Sequence, residues 1–354
     1  MAKTIKVLVV DDSALIRKLL SRLLGDAPDI EVVGAARDPY EARDQIKALN
    51  PDVLTLDVEM PRMDGITFLR NLMRLRPMPV VMVSSLTREG AGETLAAFEL
   101  GAVDVVAKPE VDVAHGLEAY AEELIERVRA AAGARVQPLA EHRAKAPEPV
   151  KLRTTEQIIA IGASTGGTTA IQTILEAMPP NAPGTVITQH MPAHFSAAFA
   201  ERVDGLCAIN VVEAQDGQRV LPGHAYIAPG GTHLELHKDG ARYVCRLTDD
   251  EPVNRHRPSV DVLFDSVVAS AGANTVGVLL TGMGTDGAQG LLRLRECGAP
   301  TIAQDEDSSV VWGMPGEAVR LGAADRVLSL DAIPGAILDA VKRRGEPASE
   351  GEAS

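Results

Sequence analysis

Short apolar runs, separated by helical patterns, recur in the first third of the chain. They are rich in Val and Ile and occupy residues 6–10, 30–35, 53–57, 80–84 and 103–107. Such runs are typical of parallel strands that are buried on both faces of a sheet. Because a helical segment follows each run, residues 4–130 are predicted to form a doubly wound α/β domain with a five-stranded parallel sheet.

The second half of the chain returns to the same α/β alternation. Residues 131–155 are rich in Ala, Pro and charges and predict a linker, after which residues 156–342 again alternate strand and helix patterns. A β-rich stretch interrupts this alternation, and its Asp-Gly pair at 239–240 predicts a hairpin turn. We expect a second, mainly parallel α/β domain with a β-hairpin insertion, followed by a disordered tail at 343–354.

The net charge of −14 disfavours several classes of partner. Binding to nucleic acid requires clustered Lys and Arg, and an acidic surface is repelled by anionic lipid. No apolar run approaches the roughly 20 residues that a membrane-spanning helix needs. The three cysteines lie far apart at no metal-binding spacing, which is typical of the reducing cytoplasm. The expected protein is cytoplasmic, binds no nucleic acid and does not insert into a membrane.

Charged and hydroxyl side chains stand where strands of the first domain end. They are Asp11 and Asp12 after the first strand, Asp57 at the end of the third, Ser84 at the end of the fourth and Lys108 after the fifth. Because the carboxyl ends of parallel strands share one edge, these side chains are expected to meet there. Clustered carboxylates favour Mg²⁺, while a lysine and a hydroxyl suit phosphoryl oxygens. Each aspartate alone would be explained as a cap or turn residue, but the cluster predicts a carboxylate that accepts a phosphoryl group.

Three motifs around this cluster resemble the receiver domain of two-component response regulators. They are Val-Val-Asp-Asp-Ser at 9–13, Leu-Asp-Val-Glu-Met-Pro-Arg-Met-Asp-Gly at 56–65 and Lys-Pro at 108–109. The resemblance covers roughly residues 4–130 and implies a flavodoxin-like fold. It also implies a role for each residue of the cluster: Asp57 is the phosphoryl acceptor, Asp11, Asp12 and Asp57 bind Mg²⁺, Lys108 contacts the phosphoryl group, and Ser84 is the switch hydroxyl. Many receivers have Tyr or Phe three residues before the lysine, whereas this chain has Val105, so the usual movement of an aromatic ring cannot occur.

A strand followed by Gly-x-Ser-x-Gly opens the second domain. Residues 158–167 are Ile-Ile-Ala-Ile-Gly-Ala-Ser-Thr-Gly-Gly. Such a turn lifts a serine hydroxyl to the end of a sheet, beside the amides of a helix start, and so indicates Ser164 as the nucleophile of a hydrolase. A dinucleotide-binding loop is the alternative, but Gly-x-Gly-x-x-Gly is absent and the nearest acidic residue at the right distance does not end a strand.

A serine nucleophile needs a general base. The histidines of this half are His190, His194, His224, His233, His237 and His256. His190 closes the strand at 185–189 and is therefore expected on the same sheet edge as Ser164, so its position favours it. His190 and His194 could suggest a metal pair, but Pro192 lies between them and no third ligand is evident.

The third member of a triad orients the histidine and offsets its charge. A buried strand at 276–280 runs into Thr-Gly-Met-Gly-Thr-Asp-Gly, which contains one carboxylate, Asp286. The amides of this glycine-rich turn are also candidate oxyanion donors. Asp286 could instead, or in addition, cap the next helix. Asp216, Asp261 and Asp265 are weaker candidates, the first in a turn and the others on a helical segment. The order Ser, His, Asp differs from the Ser, Asp, His order of common α/β-hydrolases.

Further motifs of this domain resemble the catalytic domain of the chemotaxis protein-glutamate methylesterases. They are Gly-Ala-Ser-Thr-Gly-Gly at 162–167, Gln-His-Met-Pro at 189–192, Ala-Pro-Gly at 228–230, Asn-Arg-His-Arg-Pro-Ser-Val-Asp at 254–261, Leu-Thr-Gly-Met-Gly at 280–284, Ala-Gln-Asp at 303–305 and Gly-Met-Pro at 313–315. The match spans about 155–342, in the family's domain order. It implies a set of roles: Ser164 is the nucleophile, His190 the base, Asp286 its partner, and the Met283 amide an oxyanion donor, with the Thr165 amide as a second candidate. The family often has a basic residue at position 316, where this chain has Gly316.

The two resemblances together imply a phosphorylation-activated enzyme of sensory adaptation. It would hydrolyse glutamate γ-methyl esters on the cytoplasmic domains of chemoreceptors, release methanol, and deamidate specific receptor glutamines. A chemotaxis histidine kinase would be the phosphodonor, Mg²⁺ would serve the receiver, and the esterase would need no cofactor. We expect the unphosphorylated receiver to cover the mouth of the catalytic site and phosphorylation of Asp57 to loosen that contact.

Two other output functions remain as alternatives. The second domain could act only by binding a partner, with a degenerate triad. The presence of Ser164, His190 and Asp286 argues against this alternative. It could also bind DNA, but it carries no basic recognition helix and continues the α/β pattern.

Overall fold

The computed structural model describes residues 4–84, 88–108, 117–134, 136, 157–193 and 195–345. The chain divides into two compact units, Met1–His142 and Arg143–Ser354. Most of the predicted linker and tail lies outside the described residues, and the helices that precede them run to Ala132 and Gly345. Among the described residues, no helix combines the length and the hydrophobicity that a membrane-spanning segment requires.

The first unit is a five-stranded parallel sheet with helices between its strands. Its strands are β1 (Ile5–Val10), β2 (Ile30–Ala36), β3 (Val53–Asp57), β4 (Val80–Ser84) and β5 (Asp104–Ala107), and its helices are α1 (Ala14–Gly25), α2 (Pro39–Leu49), α3 (Gly65–Leu75), α4 (Arg88–Glu99) and α5 (Leu117–Ala132). The strand order is β2-β1-β3-β4-β5, and every pair is parallel. This is the flavodoxin-like order, so the predicted fold class is confirmed.

Local chemistry places the helix starts directly behind the strand ends. Ser13 caps α1 by accepting the Ile16 amide at 3.4 Å, only three residues after β1 ends. Asp64 caps α3 by accepting the Thr67 amide at 2.7 Å. Strands β3 and β4 are buried along their whole length. The polar residues that follow these strands are therefore confined to the sheet edge.

The second unit contains a larger parallel sheet. Its strands are β6 (Ile158–Ala163), β7 (Gly184–Gln189), β8 (Asn210–Glu213), β9 (His224–Ile227), β12 (Thr275–Leu279), β13 (Thr301–Gln304) and β14 (Arg326–Leu328). Its helices are α6 (Gly167–Glu176), α7 (Phe195–Asp204), α8 (Val260–Ser270), α9 (Ala288–Glu296), α10 (Met314–Arg320) and α11 (Ile333–Gly345). The order is β14-β13-β12-β6-β7-β9-β8, with all pairs parallel. Since the chain leaves β6 for β7 on one side and later returns to β12 on the other, the crevice at β6 is the expected place for a ligand.

The predicted hairpin insertion is a separate antiparallel pair, β10 (His233–Asp239) and β11 (Arg242–Thr248). Asp239 pairs with Arg242, so the two-residue loop is Gly240–Ala241 and not the predicted Asp239–Gly240. Gly240 has a φ of 59°, which the turn needs at its first central position and glycine adopts without strain. The strand before this hairpin, β9, does not join it, because β9 pairs with β7 and β8 in the main sheet.

Candidate catalytic and phosphoryl-acceptor sites

Ser164 lies directly after β6, at the centre of the larger sheet. Its amide donates to the Thr281 carbonyl beyond β12 at 3.0 Å, and its carbonyl accepts the Gly167 amide at 2.7 Å. Gly166 has a φ of 78°, and a Cβ there would approach Val310 Cβ to 2.6 Å. A tight glycine turn thus joins β6 to α6 and presents Ser164 at the carboxyl edge.

His190 follows β7 and is tied to the end of β6, because its amide donates to the Ala163 carbonyl at 3.1 Å. The ring is buried, and its Nε2 lies 2.8 Å from Asp286 Oδ2. Its Nδ1 is buried with no hydrogen-bond partner among the described atoms. Within the described residues the Ser164 hydroxyl makes no hydrogen bond to this ring. Nδ1 is therefore the ring nitrogen that can still accept a proton. In enzymes without substrate, the hydrogen bond between a serine nucleophile and its histidine base is often long or poorly aligned and tightens only when substrate binds.

The Asp286 carboxylate is buried and accepts an unusual number of hydrogen bonds. Its donors are His190 Nε2 at 2.8 Å, Asn254 Nδ2 at 2.7 Å, Ser259 Oγ at 2.8 Å, the Val260 amide at 2.6 Å and the Asp261 amide at 3.2 Å. Two of these amides open α8, so the carboxylate also lies at a helix N-terminus. Burial raises the pKa of Asp286, but the bond and charge of His190 and the other donors outweigh it and lower the pKa below the ordinary 3.8. The carboxylate stays ionised and fixes the Nε2–H tautomer of His190.

The turn that carries Met283 packs directly against the nucleophile. The Gly282 amide donates to the Val311 carbonyl at 2.9 Å, and its carbonyl accepts the Met314 amide at 2.8 Å. A Cβ on Gly282 would lie 2.7 Å from Ser164 Cβ, so only glycine permits this approach. Among the described residues the Met283 amide has no acceptor. The backbone at Thr165 is held from the same side, since its carbonyl accepts Thr281 Oγ1 at 2.9 Å.

Three other candidate histidines have partners away from the nucleophile. His224 Nδ1 lies 3.0 Å from the Pro222 carbonyl, and exposed His237 pairs with Glu235 at 2.7 Å. His233 is buried, and it uses both ring nitrogens, for the Ser259 amide at 3.1 Å and the Glu251 carbonyl at 3.2 Å. His194 lies outside the described residues. His256 lies at the site, with its ring stacked on that of His190.

The weaker aspartate candidates point elsewhere. Asp216 pairs with Arg246 and Asp265 with Arg293, both in exposed ion pairs. Asp261 is buried, and its Oδ1 accepts the Gly290 amide at 2.6 Å at the start of α9. Burial, then the nearby charge of Asp286, raises the pKa of Asp261. None of these three carboxylates binds His190.

Sequence reasoning missed two residues that this site contains. Asn254 binds Asp286, and Ser259 both binds Asp286 and caps α8. The capping role of Ser259 had a signal, a serine directly before an apolar helical segment. The signal for Asn254 was its place in the motif at 254–261, but that motif gave it no role, because its contact depends on how a loop folds back onto the turn that carries Asp286.

The aspartates of the first unit lie together at its sheet edge. Asp57 is buried, its Oδ1 lies 2.7 Å from Lys108 Nζ, and Asp11 Oδ2 lies 3.9 Å from the same nitrogen. Burial, together with the charge of Asp11, raises the pKa of Asp57 to about 6 despite the lysine. Burial also raises the pKa of Asp11. Ser84 ends β4 beside them, and its carbonyl accepts the Lys108 amide at 2.7 Å. The five predicted positions therefore share one edge.

This cluster has the donor set of a divalent-cation site. Asp11, Asp12 and Asp57 each offer a carboxylate oxygen, and these oxygens lie within 4.8 Å of one another. The Oδ2 atoms of Asp11 and Asp57 are buried without a hydrogen-bond partner among the described atoms. Oxygen ligands that are clustered, anionic and unsatisfied suit Mg²⁺. A Cβ on Gly65 would lie 1.9 Å from the Asp57 carbonyl oxygen, so α3 can begin this close to Asp57 only with glycine.

Comparisons with known proteins agree with both units. The family model described as CheB methylesterase matches residues 159–337, and that of the response regulator receiver domain matches residues 7–119. A Xanthomonas oryzae pv. oryzae protein named protein-glutamate methylesterase/protein-glutamine glutaminase 2 is 58% identical over 342 residues, which cover 93% of this chain and 95% of that protein. A protein-glutamate methylesterase/protein-glutamine glutaminase of Nitrosomonas europaea is 55% identical, over 98% of this chain and 99% of its own.

A solved structure supports the fold of the second unit. The catalytic domain of Thermotoga maritima CheB methylesterase aligns with a TM-score of 0.52 and 36% identity, over 53% of this chain and 100% of that domain. The fold and the two family matches thus define a response regulator whose output domain is a hydrolase with an α/β fold. The chain belongs to the protein-glutamate methylesterase family with an N-terminal receiver domain. It is an enzyme, a carboxylic ester hydrolase of the chemotaxis methylesterase type.

Proposed function

We propose that this enzyme hydrolyses glutamate γ-methyl esters of chemoreceptors with Ser164, His190 and Asp286, and that phosphorylation of Asp57 activates it. The observation that carries the proposal is the buried 2.8 Å bond between His190 Nε2 and Asp286 Oδ2, with Nδ1 left without a partner among the described atoms. His190 is tied to the strand that delivers Ser164 by a backbone bond of 3.1 Å to Ala163. The proposal is further supported by chain topology, because Ser164 and His190 follow neighbouring strands, β6 and β7, of one parallel sheet.

In the acylation step, Ser164 Oγ attacks the ester carbonyl carbon and its proton passes to His190 Nδ1. The carbonyl oxygen becomes an oxyanion, which the Met283 and Thr165 amides bind. The C–O bond then breaks, and the proton on Nδ1 passes to the methoxy oxygen, so methanol leaves. Asp286 remains ionised throughout and offsets the charge of the imidazolium.

In the deacylation step, His190 Nδ1 takes a proton from a water molecule as the water oxygen attacks the carbonyl carbon of the glutamyl ester. The bond between this carbon and Ser164 Oγ then breaks, and the proton on Nδ1 passes to Oγ, so that Ser164 is regenerated and the receptor side chain leaves as a glutamic acid. A glutamine side chain presents the same carbonyl with an amine leaving group. We therefore include deamidation of specific receptor glutamines, in which the His190 proton passes to nitrogen and ammonia leaves.

The receiver controls this activity. A chemotaxis histidine kinase donates the phosphoryl group to a carboxylate oxygen of Asp57, which Lys108 and Ser84 flank. Asp11, Asp12 and Asp57 would hold Mg²⁺, which offsets phosphoryl charge during transfer. The phosphoryl group adds about 1.5–2 negative charges, a local change in the receiver with a response in the catalytic unit. Because residue 105 is valine, that response does not use an aromatic side chain at this position.

We assign residues 4–130 to the receiver, 131–155 to a linker, 156–342 to the catalytic domain and 343–354 to a tail. The enzyme acts in the cytoplasm, where receptor and kinase domains are present. The esterase chemistry needs no cofactor, because its proton transfers use only His190 and its charge stabilisation uses only amides and Asp286.

The test is methanol release from methyl-labelled receptor membranes, with and without a small phosphodonor plus Mg²⁺. Ser164→Ala should abolish release, and Asp57→Ala should keep the basal rate but lose the stimulation by phosphodonor. Deletion of residues 1–150 should raise the basal rate if the receiver inhibits. Release that survives Ser164→Ala would refute the nucleophile, and stimulation that survives Asp57→Ala would refute the acceptor.

A further inference from the structure

A two-residue turn at residues 253–256 lies against the His190–Asp286 pair. Val253 and His256 exchange two backbone hydrogen bonds, of 3.1 Å and 2.9 Å. Asn254 and Arg255 between them have φ values of 53° and 69°, the positive values of a type I′ turn. Arginine is strained in this region, because its Cβ approaches the following carbonyl oxygen. Strained backbone that the surrounding structure maintains is common at functional sites.

The first contact of this turn is a ring stack. The His256 ring lies on the His190 ring with centroids 3.7 Å apart and planes 16° from parallel. The stack covers one face of the imidazole and leaves the edge that carries both nitrogens. Rotation of the His190 ring out of its plane would require the two rings to separate. The stack therefore restrains the direction in which Nδ1 points while Nε2 is bound to Asp286.

The second contact is a bridge between two carboxylates. Asn254 Nδ2 lies 2.7 Å from Asp286 Oδ1 and 2.8 Å from Asp261 Oδ2. An amide nitrogen carries two hydrogens, one for each carboxylate. Two buried carboxylates repel each other, and the bridge offsets that repulsion on the side of Asp286 that faces away from His190. A carboxamide oxygen in the same place would be repelled by both, so the nitrogen faces them.

We propose that Asn254 and His256 are positioning residues of the catalytic site: their turn holds the His190 ring in its plane and the Asp286 carboxylate in place while the proton moves. The inference rests on the proposed Ser164–His190–Asp286 chemistry and adds to it. Neither residue exchanges a proton with substrate. They change the fraction of time for which the His190 base is aligned. Their loss should therefore lower kcat and have less effect on substrate binding.

The stack is tested with His256→Ala and His256→Phe in the full-length, phosphodonor-activated enzyme, with exposed His237→Ala as the matched control. We expect His256→Ala to lower kcat for methanol release by about tenfold or more with KM unchanged. Phenylalanine supplies a flat ring without nitrogen and should restore kcat to within about threefold of wild type. An unchanged kcat in His256→Ala, or equal losses in both variants, would overturn the stacking role.

The bridge is tested with Asn254→Gly, because glycine accepts the positive φ and removes only the carboxamide. Asn50→Gly is the matched control, since Asn50 also has a positive φ, of 47°, and lies in the receiver. We expect Asn254→Gly to lower kcat about tenfold and to shift the downfield proton resonance of the His190–Asp286 hydrogen bond, and Asn50→Gly to do neither. A resonance and kcat that both stay at their wild-type values would contradict the bridge.

Inactivation by a fluorophosphonate separates this inference from the proposed substrate, because it reports how well His190 activates Ser164 without any receptor. Slower inactivation of His256→Ala and Asn254→Gly than of wild type supports positioning even if receptor esters prove not to be the substrate. Wild-type enzyme that does not react would overturn the triad and the positioning role together. Equal inactivation rates in wild type and variants would overturn the positioning role alone.

Discussion

Replacement of Asp286 by Asn tests whether charge, and not shape, is what His190 requires. The carboxylate accepts two bonds on Oδ2, from His190 and the Val260 amide, and three on Oδ1. An asparagine keeps the outline but presents one acceptor oxygen and one NH₂ group. If the NH₂ group faces His190, the ring must give up its Nε2 proton and carry it on Nδ1, where it can no longer accept the proton of Ser164.

If the NH₂ group faces the other way, the tautomer survives but the charge does not. At the 2.8 Å separation of Nε2 and Oδ2, a unit charge stabilises an imidazolium by about 6 kcal/mol at an effective dielectric constant of about 20. Loss of that interaction corresponds to a fall in kcat of about 10⁴-fold, similar to the loss when a serine protease triad carries the same substitution. Both orientations therefore predict a nearly inactive enzyme.

The assay is methanol release by the phosphodonor-activated enzyme, with the fluorophosphonate reaction as a second measure. Asp265→Asn is the matched control, because Asp265 lies on α8 in an exposed pair with Arg293 and should keep wild-type kcat. An Asp286→Asn enzyme within tenfold of wild type would show that another group supports His190, and the reasoning would fail.

The same substitution predicts a change in the pH dependence of stability. Because the pKa of Asp286 is lower in the folded chain than its ordinary 3.8, the unfolded chain takes up the proton first as pH falls. The ionised carboxylate thus stabilises the fold fully above pH 3.8, and this contribution is lost as pH falls through the folded-state pKa. Urea unfolding should show a wild-type advantage over Asp286→Asn at neutral pH that shrinks below about pH 4. A constant difference across pH would contradict this account.

Two further predictions follow from the geometry. A carboxyl ¹³C titration of Asp57 in the metal-free chain should have its midpoint at about pH 6, because burial raises this pKa. Addition of Mg²⁺ should move the midpoint lower, because a cation favours the ionised carboxylate. A midpoint near pH 4 without metal would contradict this prediction. Gly282→Ala should lower kcat about 10²-fold, because the added Cβ would lie 2.3 Å from Met314 Sδ and 2.7 Å from Ser164 Cβ. Gly335→Ala is the control: its Cβ would meet no atom within 4 Å, so methanol release should stay unchanged. Equal rates in the two variants would show that the turn at Gly282 accommodates the methyl group without loss of activity.

The sheet edges could be predicted because period and chain order are local signals. Each strand of the first unit begins and ends within one residue of its prediction, and Ser164 and His190 follow paired residues of β6 and β7. Parallel pairing brings strand ends together whatever the loops do. This is why five separated positions in the receiver and two in the catalytic unit could be expected at common edges.

Contacts made by loops could not be predicted in this way. Sequence alone left Asp216, Asp261, Asp265 and Asp286 as possible partners of His190, because the choice depends on which carboxylate the N-terminus of α8 faces. The turn at 253–256 was missed because it lacks glycine, the usual signal at positions of positive φ. The hairpin turn was displaced by one residue because Asp239 extends the ladder of β10 before Gly240 turns.

Two of the buried aspartates, Asp57 and Asp286, show how the surroundings of a carboxylate decide which task it is suited to. Asp57 accepts hydrogen bonds from Lys108 Nζ and from the Glu59 amide, the latter at 3.2 Å. Burial, together with the nearby charge of Asp11, outweighs these bonds and raises the pKa of Asp57 to about 6. Asp286 accepts five donors and keeps its pKa below the ordinary value. A carboxylate with unsatisfied oxygens gains from a cation and from covalent capture of a phosphoryl group, whereas a fully satisfied one gains nothing from either. The number of donors, and not the depth of burial, therefore decides which aspartate is suited to react and which to support a base.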